Sequence, residues 1–293
     1  MPSSPPLCDS LDAVASNYDS FILDLWGVLH DGERVYPHAV AALRALKAAD
    51  KQLLILSNAP RRASEIAERM VELGLTPDLY DDLMSSGEDT WVHLHDRPSP
   101  WYRALGRRVV HIGPERDFGM RSGLGLTLAD GAADAEFILN TGPAEADQED
   151  ISGLEPLLHE GAERGLAMIC ANPDLIVMRG GEKELCAGSV AARYEALGGE
   201  VRYHGKPYRP IYDTCFKRLG DPDPARVCAV GDTLRTDIAG ANAVGIDSIL
   251  ITGGIHAEEL GVRMGEPADP EDLAALYARE NERPTAVLPE FRW

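Results

Sequence analysis

Residues 21–60 read FILDLWGVLH DGERVYPHAV AALRALKAAD KQLLILSNAP, and this stretch decides the fold class. Phe21 to Leu25 is a short apolar run, the pattern of a strand buried on both faces. Pro37 opens a helix through Ala49, with Val40, Leu43 and Leu46 on one face. Gln52 to Ser57 is a second buried strand. Strand, helix and strand in this order imply a parallel sheet with helices packed on it.

The same alternation continues outward. Ala63 to Leu73 is an amphipathic helix that Gly74 stops. Arg226 to Val230 and Ile246 to Ile251 are two more strands, with a helix from Asp237 to Ala243 between them. Between about Ser86 and Tyr203 the pattern forms a separate unit. Its strands are expected at Val109 to Ile112, Glu136 to Leu139 and Ala167 to Cys170, and a helix at Asp150 to Arg164. Gly113-Pro114, Gly142-Pro143 and Gly180-Gly181 punctuate this stretch. The expected fold is therefore α/β, a doubly wound parallel sheet with an inserted α/β cap domain. Residues 1–85 make the first core segment, 86–203 the cap and 204–293 the second core segment, with Glu282 to Trp293 as a last edge.

Bulk composition narrows the function. The 293 residues suffice for two domains, and 44% apolar content supports real cores. Lys plus Arg number 28 against 48 Asp plus Glu, a formal charge of −20. That field repels phosphate backbones and anionic lipid, which argues against nucleic-acid or membrane-surface binding. An anionic substrate would need a metal ion or a local group of cations. Cys8, Cys170, Cys186, Cys215 and Cys228 form no C-x-x-C pair and fit reduced thiols of a cytoplasmic protein. The first ten residues lack the basic and apolar regions of a signal peptide, and no run of about eighteen apolar residues suggests a membrane span.

Four segments carry chemistry, each at the carboxyl end of an expected strand, where ligands of parallel sheets bind. Asp24, followed by Trp26 and Gly27, is a strand-end carboxylate suited to a nucleophile or a metal ligand; it also fits a plain strand terminator. Ser57-Asn58-Ala59, with Arg61 and Arg62 behind it, makes a phosphate seat or a simple helix cap. Gly205-Lys206-Pro207 presents a lysine from a rigid turn, either to a phosphoryl oxygen or to solvent. Asp232 and Asp237 flank a strand-to-helix turn able to hold Mg²⁺ or to cap the helix.

Taken in order, these segments resemble the haloacid-dehalogenase (HAD) superfamily, and more narrowly its class IIA. The run Gly231-Asp232-Thr233-Leu234-Arg235-Thr236-Asp237, Gly205-Lys206-Pro207, Asn172-Pro173-Asp174 and the large insertion between the serine and lysine segments carry the likeness, over about Asp19 to Gly254. The resemblance implies a Rossmann-like core and a Mg²⁺-dependent phosphohydrolase of small phosphate esters. Asp24 would become an aspartyl phosphate, and Ser57 and Lys206 would bind the phosphoryl group, with Asn58 and Arg61 of the phosphate seat as further substrate or phosphate contacts. Asn172 and Asp174 would lie near the substrate. Asp24, Asp232, Asp237 and the backbone carbonyl of Trp26 would hold the metal. Caps of this branch often dimerise, which allows a homodimer through the cap.

One position departs from the pattern. The family carries a second Asp two residues after the nucleophile, as general acid and base; here it is Trp26. Such a group is worth about 10²–10⁴ in rate. His30 and Asp31 follow closely as substitutes, although both also suit an ordinary turn. The leading expectation is a phosphatase with impaired or unusual proton transfer. A silent phosphometabolite-binding protein is second. A carbon–halogen hydrolase, a branch with Tyr at that position, is third.

Overall fold

An apolar run with no polar face has to be covered on both sides, and the first strand is. In the computed structural model, which describes residues 5–144, 149–179 and 182–293, β1 (Ser20–Leu23) is buried along its whole length. The chain continues through β2 (Gln52–Ser57), β3 (Asp82–Ser85), β4 (Arg108–Ile112), β5 (Thr127–Leu128), β6 (Phe137–Asn140) and β7 (Ala167–Cys170). The hairpin β8 (Ile176–Arg179) and β9 (Glu182–Leu185) follows, then β10 (Val201–Tyr203), β11 (Val227–Gly231), β12 (Asp247–Ile251) and β13 (Ala286–Leu288). Two compact units result: Met1–Ser57, Ala67–Met84 and Lys206–Trp293 form the first, Asn58–Ile66 and Ser85–Gly205 the second. The stretch Asn58–Ile66, read from the sequence with the first core segment, groups with the second unit.

The first unit holds a six-stranded sheet in the order β13-β12-β11-β1-β2-β3. β1 pairs in parallel with β2 and β11, β11 with β12, and β12 with β13. Ile22, Leu54, Leu56, Val227 and Ala229 pack with Ile211, Tyr212 and Cys215 of the helix Arg209–Arg218. Phe21, Leu23, Leu53 and Ile55 point the other way and are fully buried. Both faces are therefore covered, as the doubly wound reading requires. β13 lies at one edge.

The second unit repeats the logic with five strands in the order β10-β7-β6-β4-β5. Val110, Ile112, Ile138, Met168 and Cys170 pack on the helix Ala187–Ala196 through Val190, Ala191 and Tyr194. Alternate residues Val109, Phe137, Leu139 and Ile169 pack on Leu94, Tyr102 and Met120. Trp91 and Trp101 lie against this second cluster.

Two expected helices differ in detail. Asp150 to Arg164 begins as a short 3₁₀ turn, Ile151–Leu154, and becomes an α-helix only over Glu155–Glu163. Pro156 has no N–H to give a preceding turn, so it marks the first turn of the α-helix. The helix expected from Asp237 starts earlier, as a π-turn over Leu234–Ile238 before Ala239–Val244. Gly180-Gly181 lies outside the described residues. Cys170, Cys186, Cys215 and Cys228 are buried, and no described cysteine is in a disulfide. Among the described residues no helix is long and apolar enough to cross a membrane.

Candidate active site

Parallel register puts Asp24, Ser57 and Asp232 at one edge of the first unit's sheet, whereas the strand before Lys206, β10, belongs to the second unit's sheet and not, as expected, to the same one. Leu23 lies beside Ile55 on one flank and Val230 on the other. Asp24 follows, its N–H donating to the Val230 carbonyl at 2.8 Å. Ser57 ends β2 and is 5% exposed. Asp232 follows β11 directly.

Lys206 ties the cluster together. Its Nζ lies 2.7 Å from Asp24 Oδ1 and 2.6 Å from Asp237 Oδ1, and the residue is 3% exposed. The N–H of Leu25 also donates to Asp24 Oδ1, at 2.7 Å, so Oδ2 is the oxygen left for chemistry. Asp237 Oδ2 accepts the Thr233 N–H at 3.1 Å, which tightens the turn after β11 and draws the helix start forward. Asp232 accepts from Thr233 Oγ1 at 2.9 Å and from the Ile255 N–H at 2.8 Å. Its carboxylate occupies space that a Cβ on Gly27 or Gly254 would fill, and Gly27 has φ +77. Only glycine permits both that conformation and that approach.

The charges do not balance. Asp24, Asp232 and Asp237 bring oxygens within 4.8 Å of one another against one lysine. Burial first, then Asp237, holds the Asp24 carboxyl well above the usual carboxylate range; Lys206 pulls it down and Asp232 raises it again. Burial, then Asp237, pushes Asp232 up to about 7. An all-oxygen set with surplus buried negative charge fits a hard divalent cation such as Mg²⁺.

The loop after Asp24 is closed on itself. Gly27 N–H donates to the His30 carbonyl at 2.9 Å. Trp26 is half-buried, with its indole over Gly32 (φ +94), where a Cβ would strike the ring, and edge-on to His30 at 5.2 Å. His30 Nδ1 accepts the Gly32 N–H at 2.8 Å. Asp31 Oδ1 accepts from the N–H groups of Glu33 at 2.9 Å and Arg34 at 2.7 Å. Both substitutes suggested by the sequence thus hold the turn.

The remaining expected site residues belong to the second unit. There Asn58 Nδ2 donates to Asp174 Oδ1 at 2.9 Å, and Asn172 Oδ1 accepts the Asp174 N–H at 2.9 Å. Arg61 Nε pairs with buried Asp117 at 3.2 Å. Burial raises the Asp117 carboxyl despite that arginine.

Sequence reasoning missed several contributors. His256 Nε2 accepts the Leu234 N–H at 3.3 Å, and burial keeps its ring below the usual histidine range. The Gly253-Gly254 pair after β12 was the one available signal. In the second unit His204 Nδ1 lies 2.5 Å from Asp89 and Nε2 2.7 Å from the Tyr102 hydroxyl. With His93 Nδ1 3.4 Å from Asp89, these residues make a compact imidazole–carboxylate cluster. Both ring nitrogens of His204 are engaged, so the cluster reads as a hydrogen-bonded tie between the helix Ser86–Asp96 and the end of β10.

Comparison with known proteins agrees with this geometry. A haloacid dehalogenase-like hydrolase family model matches residues 21–126, and a HAD-hydrolase-like model matches 203–292. Human chronophin is 32% identical over 286 residues, covering 93% of each chain. D-glycerol 3-phosphate phosphatase of Mycobacterium tuberculosis is 27% identical over 286 residues, 96% of this chain and 72% of that one. A haloacid dehalogenase-like hydrolase from Brucella suis, solved by crystallography, has TM-score 0.81 and 32% identity, covering 97% of this chain and 99% of the other. The chain belongs to the haloacid dehalogenase-like hydrolases, in their class IIA branch.

Proposed function

We propose that the chain is a Mg²⁺-dependent phosphohydrolase of small phosphorylated metabolites, acting through Asp24. The observation that carries this reading is Lys206 held between Asp24 and Asp237, with Asp232 alongside. Asp24 Oδ2 attacks phosphorus and forms an aspartyl phosphate as the bond from phosphorus to the ester oxygen breaks, its electron pair leaving on that oxygen, and water then cleaves the aspartyl phosphate to inorganic phosphate and free Asp24. Lys206 offers its charge to the phosphoryl oxygens, and Ser57 its hydroxyl. Asp237 has both oxygens engaged and so orients Lys206 and the turn. Mg²⁺ would be held by Asp24, Asp232 and the Trp26 carbonyl with Asp237 beside it, and when bound would neutralise the clustered carboxylates and the phosphoryl charge. Asn58, Arg61, Asn172 and Asp174 are the proposed contacts for the ester.

The naming of relatives as phosphatases supports the reaction class. Trp26 favours a second reading, phosphometabolite binding without turnover, because an indole neither donates an acidic proton nor takes one up. The complete carboxylate cluster argues against carbon–halogen hydrolysis. A cytoplasmic address and a homodimer through the second unit complete the proposal, the latter checked by light scattering. The decisive test is a panel of phosphate esters with Mg²⁺, assayed beside Asp24→Asn. Release of phosphate that Asp24→Asn retains would overturn the assignment. Tight ester binding with no release would favour the second reading.

A further inference from the structure

We propose that His256 is a positioning residue that sets the Mg²⁺ affinity of the carboxylate cluster by fixing the turn between Asp232 and Asp237. This rests on the preceding reading of that cluster as a metal site, and follows from how the first unit satisfies the backbone of that turn.

The first N–H groups of a helix have no partner within it. Here the helix opens with the π-turn Leu234–Ile238, where Asp237 and Ile238 both donate to the Thr233 carbonyl, at 3.0 and 3.2 Å. Leu234 is fully buried, so bulk water does not reach its N–H and an acceptor has to come from the protein. The Thr233 N–H donates to Asp237 Oδ2 at 3.1 Å, and the Leu234 N–H donates to His256 Nε2 at 3.3 Å. One acceptor is a carboxylate of the cluster; the other is an imidazole from the loop after β12.

That loop is seated for the task. The N–H of Ile255, the residue before His256, donates to Asp232 Oδ2 at 2.8 Å. The Leu260 N–H donates to the His256 carbonyl at 2.9 Å, and Leu260 packs with Leu234 and Ile238. The His256 side chain is 13% exposed, with Nδ1 3.8 Å from Glu259 Oε2, and Arg279 donates to that oxygen at 2.9 Å. Ile255 and His256 therefore grip both ends of one turn, the first through the Asp232 carboxylate and the second through the start of the helix that carries Asp237. Without the imidazole acceptor, the buried Leu234 N–H competes with that of Thr233 for Asp237 Oδ2, and the spacing of the two carboxylates loosens. Groups that orient metal-binding residues in this way are worth about 10–100-fold in metal affinity.

Three variants of the full chain, His256→Leu, His256→Asn and His256→Gln, test this. Gln carries an amide oxygen at the depth of Nε2, Asn carries one only at the depth of Nδ1 and falls short of Leu234, and Leu carries no acceptor. Mg²⁺ affinity is read from the dependence of melting temperature on Mg²⁺, and the turn itself from amide hydrogen exchange between Asp232 and Ile238 in EDTA. His256→Leu and His256→Asn are expected to weaken Mg²⁺ binding about 10-fold or more and to speed exchange in that segment, with His256→Gln close to wild type in both. Equal losses in the Asn and Gln variants, or wild-type affinity in His256→Asn, would overturn the inference, while Mg²⁺ binding by the wild type leaves the metal site standing. No Mg²⁺ response in the wild type would overturn both. If His256→Leu does not fold, the Asn and Gln variants decide between them.

Discussion

Replacing Lys206 by Met keeps the length of the side chain and removes the cation that pairs with Asp24 and Asp237 in a cluster of three buried carboxylates. Nζ stands 2.7 Å from Asp24 and 2.6 Å from Asp237, at 3% exposure. Stripping one partner from a buried ion pair costs about 3–5 kcal/mol, a large share of the roughly 5–15 kcal/mol that holds a domain together. The carboxyls escape part of that cost by taking up protons. Asp24 already lies well above the usual range and Asp232 is pushed up to about 7, mainly by burial. For acids whose native pKa is raised, stability is fully present below the unfolded value and is lost as pH rises through the native one. Metal-free wild type is accordingly expected to lose stability between about pH 4 and 8. Lys206→Met should lose more over the same window, because nothing then offsets the ionised cluster. Urea unfolding in EDTA at pH 5 and pH 8, followed by circular dichroism, measures this. A substitution cost under about 1 kcal/mol, or equal at both pH values, would refute the account of Lys206 as the counter-charge of the cluster.

Three further outcomes follow from the same geometry. Millimolar Mg²⁺ should raise the melting temperature, by the equivalent of about 2.7 kcal/mol at one hundred times Kd, and Asp232→Ala should abolish the shift in differential scanning fluorimetry. Gly27→Ala places a Cβ on the Asp232 carboxylate at φ +77, so it should lose the Mg²⁺ response and about 1–2 kcal/mol of stability, read by the same assay with urea unfolding. kcat/KM across phosphate esters, which reports the step in which the leaving group departs, should fall steeply as leaving-group pKa rises, aryl esters far ahead of sugar phosphates, and folded Trp26→Asp should flatten that dependence; equal kcat/KM values in wild type would show that another acid is in place.

Much of this protein is written locally in the chain. Apolar runs at Phe21, Gln52, Val227 and Asp247, separated by helical patterns, oblige a parallel sheet, because unbroken strands need cover on both faces. The placing of Asp24, Ser57 and Asp232 was visible for the same reason, because parallel strands collect their carboxyl ends at one edge, whereas the strand before Lys206 belongs to the second unit's sheet and Asp237 lies in the turn beyond β11. What pattern could not supply was partnership. Whether His30 and Asp31 serve as proton carriers or as turn residues depends on which backbone N–H groups their acceptor atoms reach, and the folded loop directs them to Gly32, Glu33 and Arg34. The need for Gly27 and Gly254 appears only when the Asp232 carboxylate, distant from both in sequence, comes to rest against them. His256, Asp89 and His204 likewise acquire meaning through neighbours far away in the chain. Periodicity is a property of consecutive residues, whereas the contacts that set charge and proton transfer join segments far apart in sequence, and only the packed chain brings those together.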